Sequence, residues 1–333
     1  MTEPIVTIIV VPRERFSLGK TSLESLYEHT SMPFKLLYID GNSPADLKTY
    51  LEEQAELKGF QILRTDYYLS PNHARNLGIA SSDTKYIAFV DNDVVVSPGW
   101  LEALTQCAEE TNAAVVGPLV CQHEPVHQEI HFAGGESHIW VDKLGRRRLR
   151  EKMFLQGKSV DKMRDRLQRM ETELAEFHCV LVRKSIFETV GELDEAMLNT
   201  KEHLDFCMTV REAGETVYFE PDALITYVPG PPERVADVHY YMLRWSDSWT
   251  LSSLKQMQEK WDLAFDGYFK NKYKKLGWRR HSTLIDPLAR KLTFGVGSKL
   301  LTRAIAKAER VFNRYLTDQH GHVMKQQKPG ELN

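Results

Sequence analysis

The stretch Tyr86-Ile87-Ala88-Phe89-Val90-Asp91-Asn92-Asp93-Val94-Val95-Val96-Ser97-Pro98 decides how this chain reads. Its apolar run, 86–90, has the length and bulk of a buried strand. The run stops at two carboxylates one residue apart, Asp91 and Asp93. Ser97 and Pro98 then suit a helix start, Ser as cap and Pro in the first turn. Two acids at the end of a buried strand do not serve packing, because burying them unpaired costs several kcal/mol or more. They call for a cation. In an open α/β sheet, ligands sit in the crevice beyond the strand ends. The plain alternative is one capping Asp and one solvated Asp.

The chain around this stretch has 333 residues, 42% hydrophobic and 27% charged, an ordinary globular composition. That length suits one large domain with an appendage, or two domains. No apolar run approaches the ~20 residues of a membrane span. The first strand begins almost at the N-terminus, which leaves no room for a signal peptide. The four cysteines are scattered, with no Cys-x-x-Cys pair, so neither a zinc site nor a disulfide framework is expected. A reducing, cytoplasmic setting fits. The net charge of −3 is too balanced for nucleic acid as a partner. The charge is unevenly spread: residues 266–316 hold thirteen Lys/Arg against three acids, a net of +10.

Working outward, residues 5–11 form a continuous β-branched run of the kind found in central parallel strands. Helical spacing follows, then strands at 34–39 and 60–64 with a helix between them, and a short helix at 72–80. This alternation means a parallel sheet with right-handed crossovers. Acids stand just past three strand ends: Glu14, Asp40, and the pair Asp91 and Asp93. There is no Gly-x-Gly-x-x-Gly after the first strand and no phosphate loop of NTPase type. A nucleotide bound here is held by carboxylates, a metal and a few backbone groups.

Four motifs in order carry a family resemblance: Val6-Thr7-Ile8-Ile9-Val10-Val11-Pro12-Arg13, Tyr38-Ile39-Asp40-Gly41-Asn42-Ser43, Ala74-Arg75-Asn76-Leu77-Gly78 and Phe89-Val90-Asp91-Asn92-Asp93. The N-terminal two-thirds resembles a family-2 glycosyltransferase, inverting and of the GT-A fold. The resemblance implies an α/β, GT-A-type (Rossmann-like) open mixed sheet flanked by helices, with an α-helical C-terminal extension. It implies that Pro12, Arg13, Glu14 and Asp40 contact the base and ribose of a nucleotide-sugar, UDP being the commonest carrier. Arg75 and Asn76 then lie near the diphosphate, and Asn92 lies between the acids. Asp93 binds Mg²⁺ or Mn²⁺, with Asp91 on the metal's water shell or the ribose. Hard divalent cations take such oxygen ligands.

Lys201-Glu202-His203-Leu204-Asp205-Phe206 falls where the family carries Glu-Asp-x-Asp. The resemblance makes Glu202, His203 and Asp205 the catalytic candidates. His203 stands in place of the Asp that is often the base, so three readings stay open: His203 is the base, Glu202 is the base, or the site is inactive. Relatives often end the second strand of 216–227 in a metal-binding His; here Tyr227 stands there, and His239 is nearby in sequence. Residues 183–195 resemble the family's structural Arg-x-x-x-Phe-x-x-Val-Gly segment. The function expected is metal-dependent transfer of a sugar to an acceptor hydroxyl on a glycan, lipid-linked or protein acceptor. The alternatives are a non-catalytic nucleotide-sugar or glycan-binding scaffold and a nucleotidyltransferase.

The expected organisation is a catalytic domain over 1–235, with a basic helical insertion at 142–173, then a helical region over 236–318 and a disordered tail over 319–333. The insertion is either a solvated helix or an acceptor-side lid. In the long helix expected over 287–316, Lys299, Arg303, Lys307, Arg310 and Arg314 form one basic stripe opposite an apolar face. That helix docks on the catalytic domain or a second subunit, or it lies on an anionic membrane, making the protein peripheral there.

Overall fold

In the computed structural model, which describes residues 3–232 and 234–326, the alternating half forms as its periodicity dictates. β1 (Val6–Val11), α1 (Gly19–His29), β2 (Lys35–Gly41), α2 (Ala45–Lys58), β3 (Gln61–Thr65), α3 (Pro71–Ser81) and β4 (Tyr86–Asp91) follow in order. β1 and β4 are buried along their whole length, which is why they read as unbroken apolar runs. Then come β5 (Val94–Val96), α4 (Trp100–Thr111), β6 (Val115–Gln122), β7 (Glu129–Phe132), β8 (Gly135–Val141), β9 (Arg147–Met153), α5 (Val160–Met163) and β10 (Met170–Thr172). β11 (Cys179–Arg183), α6 (Ile186–Val190), α7 (Glu202–Glu212) and β12 (Val217–Tyr227) complete the sheet region. Helices α8 (Val235–Arg244), α9 (Asp247–Trp261), α10 (Gly267–Arg280), α11 (Asp286–Leu292) and α12 (Lys299–Gln326) end the described chain.

One ten-stranded mixed sheet runs β10-β12-β6-β11-β4-β1-β2-β3, with β5 on β12 and β7 on β6. β1, β2, β3 and β4 are mutually parallel; β11 lies antiparallel between β4 and β6. The register Val11↔Asp91 puts the ends of β1 and β4 side by side. Because β11 runs the other way, the residue before it, His178, arrives at the same edge, and its carbonyl accepts the Asp91 N–H at 2.9 Å. The C-terminal helices share the sheet's core: Tyr240, Leu254, Met257, Trp261 and Phe269 belong to the same buried cluster as β1 and β4.

Five local expectations change. Residues 142–173 are not a helical insertion. Its first part, 142–153, is the turn and second strand of the β8–β9 hairpin, and one helical turn, α5, a 3₁₀ turn at Arg164–Arg166 and strand β10 follow. The hairpin wins because Asp142 closes its turn, accepting the N–H groups of Leu144 and Arg146 at 2.9 and 3.0 Å, with Gly145 at φ +72°. The two strands read at 216–227 are one strand, β12, bulged between Glu220 and Leu224. α4 starts at Trp100 behind Gly99 at φ +79°, because β5 uses the residues before Ser97 for pairing with β12. The helix expected over 287–316 breaks between Leu292 and Lys299, where Gly295 and Gly297 both take positive φ. α12 then runs through 319–326, part of the expected disordered tail; the rest of that tail lies outside the described residues.

Candidate active site

The end of β4 is the centre of the site. Asp91 is buried and shared by three groups. Arg13 Nη1 approaches it at 3.0 Å, Arg75 Nη2 at 3.0 Å and His178 Nδ1 at 3.3 Å. Arg75 is itself wholly buried on α3, over the Phe177 ring, and donates to the Phe177 carbonyl. It is the fixed counter-charge beneath Asp91 and does not line the cleft. Asp93 is different. It is equally buried, and neither carboxylate oxygen has a hydrogen-bond partner. Burial pushes its pKa well above the carboxylate range, and the charge on Asp91 adds to the rise. Asp91, Asp93 and His178 each offer a ligand atom, and these atoms lie within 4.8 Å of one another.

His178 Nδ1 likewise has no hydrogen bond. Orphaned oxygens and an orphaned ring nitrogen converging on one point fit a divalent cation. Where relatives often bring a His from the end of the strand that is β12 here, this chain places His178, just before β11, beside the two acids. Its ring stacks on Tyr227 at 4.0 Å between centroids, in the place the sequence left to Tyr227. His239 packs edge-on to Tyr68 instead and takes no part.

A cleft of about 380 Å³ opens beside this cluster. Arg13, His131, Glu176, His178, Glu202, His203 and Tyr227 line its sheet side; Lys272, Lys275, Trp278 and Arg279 of α10 line the other. Glu202 opens α7, paired with Arg244 at 3.4 Å, and its other oxygen has no partner. Burial favours its protonation, but the charges of Arg244 and His203 outweigh that and hold it at about 2. Burial drives His203 down to about 3, so its ring is neutral at pH 7. Its Nε2 lies 3.4 Å from Glu176, which burial pushes up to about 8.

The remaining predicted residues are structural in their contacts. Asp40 accepts Ser43 N–H and Oγ–H at 2.9 Å and pairs with Arg64, closing the turn after β2. Ser43 is spent on that turn, so Pro44 takes the cap position of α2. Asn76 donates to the Leu193 carbonyl and to Glu195, tying α3 to that segment. Asp205 faces α9, accepting from Lys260 Nζ and Trp261 Nε1 at 2.8 Å each, and does not line the cleft. Asn92 accepts the Arg13 N–H and donates to the Arg15 carbonyl, which sets the loop after β1. The Pro12 carbonyl accepts from Tyr240, and Glu14 accepts from Tyr227, Trp245 Nε1 and Arg279.

Sequence reasoning missed His178, Glu176 and the cations of α10. The only signal for the first two was their place just ahead of an apolar run, which does not say what they face. Glu151 was missed as well. From β9 it accepts Lys201 Nζ at 2.8 Å and Lys272 Nζ at 2.9 Å and bonds Tyr268, so hairpin, α7 and α10 meet on one carboxylate.

Comparison with known proteins agrees with this layout. A pre-mycofactocin glycosyltransferase of Mycobacterium tuberculosis (strain H37Rv) is 30% identical over 234 residues, covering 67% of this chain and 42% of that protein. An uncharacterized protein, y4gI, of Sinorhizobium fredii is 23% identical over 229 residues, covering 66% of this chain and 24% of its own. The chain therefore spans less than half the length of these curated relatives. The crystal structure of GalNAc-T7 with UDP, GalNAc and Mn²⁺ superposes with a TM-score of 0.52 at 15% identity, covering 84% of this chain and 56% of that one. That likeness is one of fold, a GT-A sheet flanked by helices. The profile of "Glycosyl transferase family 2" matches residues 7–191, more than half of the chain, and takes in β1, the turn after β2, α3, the Asp91–Asp93 pair and His178. By that match the protein belongs to glycosyl transferase family 2.

Proposed function

We propose that the protein is an inverting, metal-dependent glycosyltransferase that moves a sugar from a nucleotide-sugar, UDP-linked, to an acceptor hydroxyl. One observation carries this: the buried Asp91–Asp93–His178 cluster, with the Asp93 carboxylate unpartnered, at the edge of a cleft that also holds Glu202 and His203. Family membership supports the donor class. Asp91, Asp93 and His178 would hold Mg²⁺ or Mn²⁺, and the nitrogen among the donors would favour Mn²⁺, since Mg²⁺ prefers oxygen and keeps several waters. When bound, such a cation neutralises charge on the departing diphosphate.

The chain's own groups do the rest. Arg13 and Arg279 put positive charge along the cleft. His203 is neutral at pH 7 and its Nε2 has no hydrogen-bond partner. It takes the proton of the acceptor hydroxyl, whose oxygen attacks the anomeric carbon from the face opposite the diphosphate, with inversion. The ionised Glu202 beside it then stabilises the imidazolium. Glu202 itself is committed to Arg244 and serves less well as base. A non-catalytic donor-binding scaffold is the second reading; it is favoured by the weak proton affinity of both candidate bases.

The test is turnover of UDP-sugars, scored as transfer or donor hydrolysis, in wild type, His203→Gln and Glu202→Gln. The proposal expects His203→Gln to lose about a hundredfold or more in kcat while UDP still binds. Equal kcat in His203→Gln and wild type would remove His203 as base, and UDP binding with no turnover in wild type would favour the scaffold.

A further inference from the structure

α12 carries three faces, not two. One is docked: Ala306, Asn313 and Leu316 are buried, and Asn313 Nδ2 donates to the Met242 carbonyl at 2.7 Å. The second is apolar and exposed. Leu300 is 82% exposed, and Val311, Phe312 and Tyr315 are each more than half exposed. It continues into the break before α12, where Phe294 is 98% and Val296 88% exposed. The third is the basic row Lys299, Arg303, Lys307, Arg310 and Arg314, and none of the five is in an ion pair with a described acid. Glu309, the one acid within this row's span, is turned inward onto Arg280 at 2.7 Å.

Large apolar side chains held in water beside unpaired cations are costly to leave uncovered. The charge decides what covers them. A second copy, meeting the same patch across a two-fold axis, would set one cationic row against the other. A lipid surface with anionic headgroups answers both features at once: the apolar stripe enters the headgroup–acyl boundary, and the cations meet the negative surface. No described helix is long and apolar enough to cross a membrane, so the contact is with one face only.

We propose that the surface formed by residues 294–315 docks the protein peripherally on anionic lipid. The proposal is independent of the sugar-transfer reading. It is tested by sedimentation of the full chain with phosphatidylcholine vesicles, alone and mixed with phosphatidylglycerol, at low and high salt. Two double variants are compared, Phe312→Ser with Tyr315→Ser and Arg303→Glu with Arg310→Glu. The chain is expected to sediment with the phosphatidylglycerol vesicles at low salt and to stay in solution with phosphatidylcholine alone. Salt weakens the binding, and each double variant lowers it by about tenfold or more with an unchanged far-UV spectrum. A chain that stays in solution with anionic vesicles overturns the proposal. So does binding that is unchanged by the apolar variant. A micromolar dimer in light scattering, lost in the apolar variant and accompanied by no vesicle binding, assigns the stripe to a copy of the chain instead.

Discussion

At the scale of single residues, the site is built on groups that cost stability. Asp93 is buried without a partner beside a charged Asp91, which favours its neutral form in the metal-free protein. Asp93→Asn should therefore leave metal-free stability equal to wild type or raise it by ~1 kcal/mol, while removing any Mn²⁺-induced rise in Tm. Thermal melts with and without Mn²⁺ check this. The pair Glu176 and His203 gives a signed pH dependence. His203 is lowered from 6.5 to about 3, so the unfolded chain binds its proton first, and stability falls as pH drops below 6.5. Glu176 is raised from 4.5 to about 8, so the folded chain holds its proton longer, and stability falls as pH rises from 4.5 to 8. Between 4.5 and 6.5 the two slopes oppose each other. The pair thus predicts a plateau there and an alkaline decline up to pH 8, at most ~1.4 kcal/mol per pH unit. Below 4.5 Glu202 adds to the acid loss, since its lowered pKa stabilises the fold only while it is ionised. Urea midpoints across pH should show Glu176→Gln losing the alkaline limb; an unchanged limb would mean that Glu176 is ionised in the fold.

At the scale of elements, legibility followed periodicity. β1 and β4 could be read because they are buried on both faces and stop at acids, and that also exposed Asp91 and Asp93. His178 could not be read, because only the antiparallel register of β11 on β4 brings it to Asp91, and register across such a separation leaves no mark in local sequence. The β8–β9 hairpin was hidden for a related reason. The outward positions of β9 are Arg148, Arg150 and Lys152, good helix formers, and its inward Glu151 makes sense only once Lys201 and Lys272 are opposite. Asp205 and Arg75 matched motif positions, yet the first pairs with α9 and the second neutralises Asp91. Glu151 joins three elements, and Lys201 beside it is buried. Glu151→Ala should cost about 3 kcal/mol or more in urea unfolding, because it strands a buried cation. It should also loosen the α10 side of the cleft, read as faster amide exchange in α10. Unchanged exchange would show that α10 is held by its apolar face alone.

At the scale of the whole molecule, the sheet supplies the acids and the C-terminal helices supply the cations. Glu176, just before β11, and Glu202, at the start of α7, line the cleft opposite Lys272, Lys275 and Arg279 of α10, and His178 joins that lining to the buried Asp91 and Asp93. Arg279 reaches Glu14 at 3.3 Å, which fastens α10 to the loop after β1. The orphaned carboxylate of Asp93 is proposed to hold a divalent cation. The most direct measurement is calorimetric titration of UDP into the full chain, in Mn²⁺ and in EDTA, for wild type and Asp93→Asn. UDP should bind in Mn²⁺ only, and EDTA or Asp93→Asn should abolish the binding. UDP binding of equal strength in EDTA, or undiminished in Asp93→Asn, would contradict it.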